Sequence, residues 1–164
     1  MLGTAGMDLA ETRCRASLLV MYGFRSADIQ KALFDQMREQ NLALGYEGDE
    51  LLEETHRQIA LPEIAGHPTG GAVDLQIVVD AQPLDFGTNI WEFDRESYTF
   101  SPEIDKKARQ NRLLLRSIMT NAGFAPFDGE WWHFSYGDRE WAAYNKEPSA
   151  IYEQQEFRQS RMVY

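Results

Sequence analysis

A single cysteine, Cys14, is all the thiol in the 164-residue sequence, so no internal disulfide can form and the fold cannot rest on a disulfide framework. Cys14 sits among Thr12, Arg13 and Arg15 near the chain start and takes no role from that setting. Nowhere does the sequence approach the ~20 consecutive apolar residues of a membrane-spanning helix, so no membrane span is expected. Its first residues lack the ordered basic, apolar and small-residue regions of a secretory signal. A cytoplasmic protein is the expectation, or a periplasmic one from which a leader has been removed. Basic residues are scarce as well. Lys and Arg number 16 against 26 Asp and Glu, a formal net charge of −10, and no basic cluster stands out. Phosphate binding needs such clusters, so nucleic acid is not an expected partner. Internal repeats and low-complexity tracts are absent too, and oligomeric state leaves no signature.

The chain is long enough for one domain with a real core, and its apolar and charged fractions are those of a globular protein. Leu18, Leu19, Val20 and Met21 form an apolar run ending at Gly23, which predicts a buried strand. Ser26 is placed to cap a helix starting at Ala27, with Asp28 in its first turn. Ile29, Leu33, Phe34 and Met37 recur at helical spacing, so this helix should bury that face and end near Gly45. A second, acidic helix is expected over Asp49 to Ala60, before Pro62. Residues 66–71 are rich in turn formers. Val73, Leu75, Ile77 and Val79 then alternate with Ala72, Asp74, Gln76 and Val78, which predicts a strand with Asp74 opposite its apolar face. Residues 80–102 are a long excursion. A helix follows from about Glu103 to Asn121, closed by Gly123. Phe134 and Tyr136 belong to another strand, and Asp138 is placed to cap a short helix through Trp141 and Tyr144. Without a regular alternation of strand and helix, the fold class is α+β: one domain, a small antiparallel sheet packed against helices.

Two local patterns carry chemistry. The first is His67-Pro68-Thr69-Gly70-Gly71-Ala72-Val73-Asp74, and the second is Glu130-Trp131-Trp132-His133. Together they offer two imidazoles and a carboxylate for a metal, and one carboxylate left over. A catalytic zinc takes three protein ligands and keeps a fourth position for water, on which a spare carboxylate acts as general base. Zinc suits this set, and cobalt or iron also fit such a site. Geometry supports the grouping only in part. Glu130 and His133 are an odd number of residues apart, so an ideal strand points them to opposite faces. A bend or bulge near Gly129–Trp131 is required. Asp74 inside an apolar strand needs a metal, an Arg or several donors, because a buried unpaired carboxylate is costly. Each His, taken singly, is more often a surface or hydrogen-bonded core residue than a ligand, and Glu130 is equally explained as a loop carboxylate beside a core Trp pair. Spacing alone leaves a metal site and a chance grouping equally open. His56, on the acidic helix with no motif around it, is left out of the site.

Both patterns resemble those of the D-alanyl-D-alanine dipeptidases of the vancomycin-resistance type, within the wider group of zinc D,D-peptidases that includes D,D-carboxypeptidases. The family pattern is Ser-x-His-x-x-Gly-x-Ala-x-Asp, then Glu-x-Trp-His, and it is matched at His67, Gly70, Ala72, Asp74, Glu130, Trp132 and His133. The double Trp, the continuation Phe134-Ser135-Tyr136-Gly137-Asp138, the run Asn111 to Arg116, and Ala122-Gly123-Phe124 are similar to the dipeptidase branch. Gly23-Phe24-Arg25 resembles its Gly-Tyr-Arg-Pro. The resemblance implies a zinc site in a cleft on the sheet, one ion per chain, held by His67, Asp74 and His133. It implies Glu130 as the base that takes a proton from the activated water and returns it to the leaving amine. Arg25 would stabilise charge on the scissile carbonyl oxygen. It also implies residues 1–17 as an N-terminal segment shorter than the family's, 18–152 as the peptidase domain, and 153–164 as a tail.

Three departures bear on the substrate. Ala65 stands where the family has Ser, and Trp91 in Gly87-Thr88-Asn89-Ile90-Trp91 where it has Asp, two positions that help hold a dipeptide's free ammonium. Glu92 is the carboxylate that a one-residue shift of the loop would bring in its place. Ser26 and Tyr22 replace a Pro and an acidic residue. The expected function is hydrolysis of D-Ala-D-Ala, freeing D-alanine for recycling or depleting a cell-wall precursor. The alternatives are a zinc peptidase of altered specificity on another cell-wall-derived peptide, carboxypeptidase-like, and a zinc-binding recognition protein without turnover. Glu130 and Arg25 argue against the last.

Overall fold

The computed structural model describes residues 15–155; Cys14, most of the expected N-terminal segment and most of the expected tail lie outside the described residues. The chain runs β1 (Ala16–Tyr22), α1 (Ala27–Ala43), α2 (Gly48–Gln58), a 3-10 turn (His67–Thr69), β2 (Ala72–Val79), β3 (Gln82–Pro83), a second 3-10 turn (Arg95–Ser97), α3 (Lys106–Asn121), β4 (Ala125–Pro126), β5 (His133–Ser135) and α4 (Arg139–Asn145). All pairings are antiparallel. The strand order is β1-β2-β5-β4, and β3 folds back on the end of β2. The architecture is the α+β domain expected from the pattern, and no helix among the described residues is long and apolar enough to cross a membrane.

The period-2 pattern of β2 organises the interior. Leu75 and Ile77 enter a core with Phe86, Leu115, Met119, Trp131, Trp132 and Phe134, while Ala72 and Asp74 are buried on the opposite side of the strand. Phe86 and Trp131 stack with centroids 4.1 Å apart and planes 4° from parallel. Burying rings of this size is worth roughly 25 cal/mol per Å² of apolar surface, which makes this stack a main adhesive of the domain.

Helix ends follow their caps. Ser26 accepts from Ile29 N–H, Asp105 from Ala108 N–H and Asp138 from Trp141 N–H, each starting the helix where it sits. Two expectations change. Leu18, Leu19, Val20 and Met21 are exposed at 42%, 43%, 59% and 37%, because β1 is an edge strand bonded only to β2 among the described residues. An apolar run does not distinguish a central strand from an edge. In α1 the buried line is Gln30, Phe34 and Asn41, and Ile29 faces outward. Polar residues join that line because each has a partner: Asn41 donates to Thr55 on α2 at 3.3 Å, and Gln30 to the Ala60 carbonyl at 2.7 Å.

Residues 80–102 are held from behind by Arg112 on α3, which is completely buried. Its guanidinium donates to the carbonyls of Phe86, Glu96 and Tyr98 at 2.6–2.7 Å and to the Thr88 hydroxyl at 3.2 Å. Burial lowers its pKa to about 10, opposed by Asp94 and Asp85, so it stays cationic at neutral pH. Arg112→Met is expected to cost about 2–4 kcal/mol, since it strands three buried carbonyls. Urea unfolding measures it. A change within ~0.5 kcal/mol would mean that other donors take those carbonyls over.

Candidate metal centre

Asp74 of β2 and His133 of β5 are directly paired across the ladder, where opposed side chains start ~4.5–5.5 Å apart. The register thus brings together two residues 59 apart in sequence, and His133 Nδ1 lies 3.0 Å from Asp74 Oδ1. His67 arrives from the turn just before β2. Gly70 closes that turn with a left-handed φ of 76°. At Gly71, a Cβ would stand 2.5 Å from the Tyr136 carbonyl oxygen, so the close approach of this loop to the strand end requires glycine. The result sets His67 Nε2 3.4 Å from the same Asp74 oxygen.

The first strand contributes through an irregularity. A register shift between Val20 and Tyr22 bends β1 as it passes Asp74, and the chain then crosses His67. The Gly23 carbonyl meets His67 Nδ1 at 2.7 Å, and Arg25 N–H donates back to the His67 carbonyl at 3.3 Å. With Nδ1 donating to the Gly23 carbonyl, Nε2 is the nitrogen turned toward Asp74. Arg25 lies over the Tyr22 ring at 4.6 Å and donates to Gln30 Oε1 at 2.9 Å.

The ligand atoms of His67, Asp74 and His133 lie within 4.8 Å of one another, and all three residues are buried. Two N···O separations, 3.4 and 3.0 Å, bracket the roughly 3.3 Å edge expected of a tetrahedron with ligands ~2.0–2.2 Å from zinc. The donor set and its spacing therefore fit a metal ion. Electrostatics agree. Burial alone would push the Asp74 carboxyl up, but hydrogen bonds from His133 and His67 outweigh it and hold the carboxyl far below the usual range. Burial disfavours a charged His133, yet Asp74 and Glu140 prevail and raise it well above an ordinary imidazole. A metal must displace that proton on binding.

Glu130 is brought into the same cleft by two successive turns rather than by a bulge: Glu130 N–H donates to the Phe127 carbonyl and His133 N–H to the Glu130 carbonyl, both at 3.1 Å. Its carboxyl lines the wall without joining the cluster. Desolvation raises it to about 7, with Asp74 and Glu140 adding to the rise and His133 and Arg25 opposing it. A carboxyl poised near neutrality suits a general base.

The cleft has a volume of about 460 Å³, within the range of small-molecule sites. All five residues singled out from the sequence line it, as does Ala65. Others were not foreseen. Glu140, in the first turn of α4, faces His133 Nε2 at 3.6 Å, so the imidazole is flanked by carboxylates on both nitrogens. Gln30 fixes Arg25 while anchored on Ala60. His56, set aside earlier, lines the wall with Arg57. None of these carries a local motif; only the capping Asp138 hinted that the next residues turn toward the strand end. Glu92 does not take the place of a cleft carboxylate. It binds Asn89 through both oxygens, at 3.0 and 2.6 Å, and borders a separate groove.

Comparison with known proteins follows the same direction. The model of peptidase family M15, described as D-Ala-D-Ala dipeptidase, matches residues 7–155. A D-alanyl-D-alanine dipeptidase of Synechocystis sp. is 31% identical over 167 residues, covering 86% of this chain and 68% of that protein. The D-alanyl-D-alanine dipeptidase of Escherichia coli is 38% identical over 71 residues, 43% of this chain and 37% of its own length. A solved structure of VanYB in complex with D-Alanine-D-Alanine superposes with a TM-score of 0.49 at 19% identity, over 83% of this chain and 68% of that one, too distant to carry more. With a family match spanning all the described residues, the chain belongs to the D-Ala-D-Ala dipeptidase family of peptidases.

Proposed function

We propose that this protein is a zinc peptidase that hydrolyses D-Ala-D-Ala to two D-alanines, with His67, Asp74 and His133 holding the metal. One observation carries the reading: three ligand atoms converge within 4.8 Å, two of their separations at tetrahedral spacing, in the cleft where burial lifts a further carboxyl, that of Glu130, to about 7, in a chain of this family. A zinc ion held there supplies Lewis acidity and makes water a usable nucleophile near neutral pH.

The chain's own residues do the rest. Glu130, ionised in a large fraction of molecules near pH 7, accepts the proton of the attacking water and returns it to the departing amine. Arg25, aimed by Gln30 and Tyr22, faces the same cleft as a fixed cation for the oxyanion that develops when the carbonyl is attacked. His67 is held in orientation at its second nitrogen by the Gly23 carbonyl, and the second nitrogen of His133 faces the Glu140 carboxylate at 3.6 Å.

Glu130→Gln is expected to retain zinc and to lose about 10²–10⁴-fold in turnover; loss of zinc would make Glu130 a ligand instead. The same variant has a stability signature. A carboxyl raised in the folded state favours folding below its unfolded pKa, and that contribution is lost as pH climbs through about 7. Metal-free Glu130→Gln should therefore gain on its parent between pH 5 and pH 8, by about 1–3 kcal/mol in denaturant titrations. Arg25→Ala should reduce kcat about 10²–10³-fold with zinc content unchanged, and unaltered kinetics would remove Arg25 from the site.

Substrate choice turns on the free amine. Ala65 offers no hydroxyl, Glu92 is engaged by Asn89 and Trp91 brings an indole. Rates on D-Ala-D-Ala and on N-acylated, D-Ala-terminated peptides, measured side by side, are expected to show no strict preference for the free dipeptide. A strict preference would show that recognition of the amine is intact.

A further inference from the structure

Asp74 has two oxygens, and only Oδ1 faces the imidazoles of His67 and His133. The other, Oδ2, accepts a hydrogen bond of 3.0 Å from the indole N–H of Trp91. Trp91 is peculiar in its backbone. Its φ is +68°, a left-handed conformation that bulky residues rarely adopt. The conformation aims the ring back at β2 and sets it edge-on against Tyr22, centroids 6.3 Å apart and planes at 89°; Tyr22 in turn meets the His67 ring at 5.5 Å and 87°. The loop carrying Trp91 is fixed on both sides. Asn89 and Glu92 bind each other across it, and Arg112 holds the Phe86 carbonyl and Thr88 hydroxyl behind it.

We propose that Trp91 is a positioning residue for the metal centre: its indole N–H occupies Asp74 Oδ2, leaving Oδ1 as a single, oriented ligand. A carboxylate with both oxygens free swings between one- and two-oxygen ligation. Two-oxygen ligation would take up the position a catalytic zinc keeps for water. The donor that prevents this lies outside the ligand set, and partners of this kind carry much of a site's affinity. The inference rests on the metal assignment made above and extends it to a residue that no ligand motif contains.

Trp91→Phe keeps a ring and removes the N–H; Trp91→Ala removes both. Zinc affinity is read by competition with a chromophoric chelator, and geometry by the visible spectrum of the cobalt-substituted protein. Trp91→Phe is expected to bind zinc about 10–100-fold more weakly and to alter the cobalt spectrum, with Trp91→Ala no less affected. Parent-like affinity and spectrum in Trp91→Phe would overturn the inference, even if Trp91→Ala were impaired, since packing alone would then explain the residue. A parent protein that takes up no zinc would overturn the metal assignment itself.

A second readout uses the parent protein alone, should the variants not fold. The indole N–H of Trp91 is bonded to Asp74 Oδ2, and such a bond slows exchange of that proton with solvent. Slow exchange, with a shift of that resonance on zinc addition, is expected. Exchange at the rate of a free indole would overturn the inference.

Discussion

The structure is arranged around one expensive group, the buried carboxylate of Asp74. It is 2% exposed, in an inner strand of the sheet. Moving such a charge out of water costs several kcal/mol per ion even after relaxation. The described structure answers that cost with three donors, His67, His133 and Trp91. Each comes from a different stretch of chain, and each stretch is shaped so that its donor arrives. The turn at His67–Thr69 needs its glycines, β5 needs its register with β2, and residues 86–98 need Arg112 behind them. Three donors satisfy a carboxylate, but with two imidazoles on one oxygen they also form a socket of mixed nitrogen and oxygen ligands.

Three carboxylates share the cleft and do not behave alike. Asp74, bonded by imidazoles and an indole, is held ionised against its burial. Glu140, whose side chain is 38% exposed, is held ionised against desolvation by His133, with His67 and His56 contributing. Glu130 has no hydrogen-bond donor among the groups that shift it, and desolvation dominates. Separation of this kind supports the proposed roles, because a ligand must stay charged while a base must give up and take on a proton near neutral pH. The contrast between Asp74 and Glu130 is one of hydrogen bonding, not residue type.

What could be read in the sequence was local. Ser26 and Asp138 announced their helices through their own side chains, Gly123 closed α3, and the alternation along β2 placed Asp74 opposite the core face. The edge position of β1 was not legible, because pairing partners decide it and the run Leu18–Met21 contains none of that information. Ile29 was misplaced by the same logic: hydrophobicity alone would not choose Gln30 and Asn41 for the inside, where each has a partner on another segment. At the site, two short motifs supplied candidates without a decision between metal and chance. The pairing of Asp74 with His133, which brings the candidates together, is a property of the sheet. Glu140, Gln30 and His56 were missed because their part is defined by what lies opposite them in space.

The long excursion between β3 and α3 looks, in sequence, like the least organised part of the chain, yet it bears on the most demanding point of the site. A left-handed Trp is a strained element, costing on the order of 1–3 kcal/mol, and persists only where its surroundings over-determine it. Arg112 supplies that determination. Its buried guanidinium joins Phe86, Thr88, Glu96 and Tyr98, fixing the loop before and after Trp91. Trp131 donates to the same Thr88 hydroxyl at 2.9 Å, which ties the loop to the segment carrying Glu130 and His133. The core therefore reaches the site through the shared Thr88 hydroxyl and the Trp131 N–H bond to the Ser97 carbonyl on one side and the stacked Phe86–Trp131 pair on the other. The loop is long because it must leave the sheet after β3, pass over the core and return an indole to β2. Arg112 on one side and the Asn89–Glu92 pair on the other hold it where that indole meets Asp74 Oδ2.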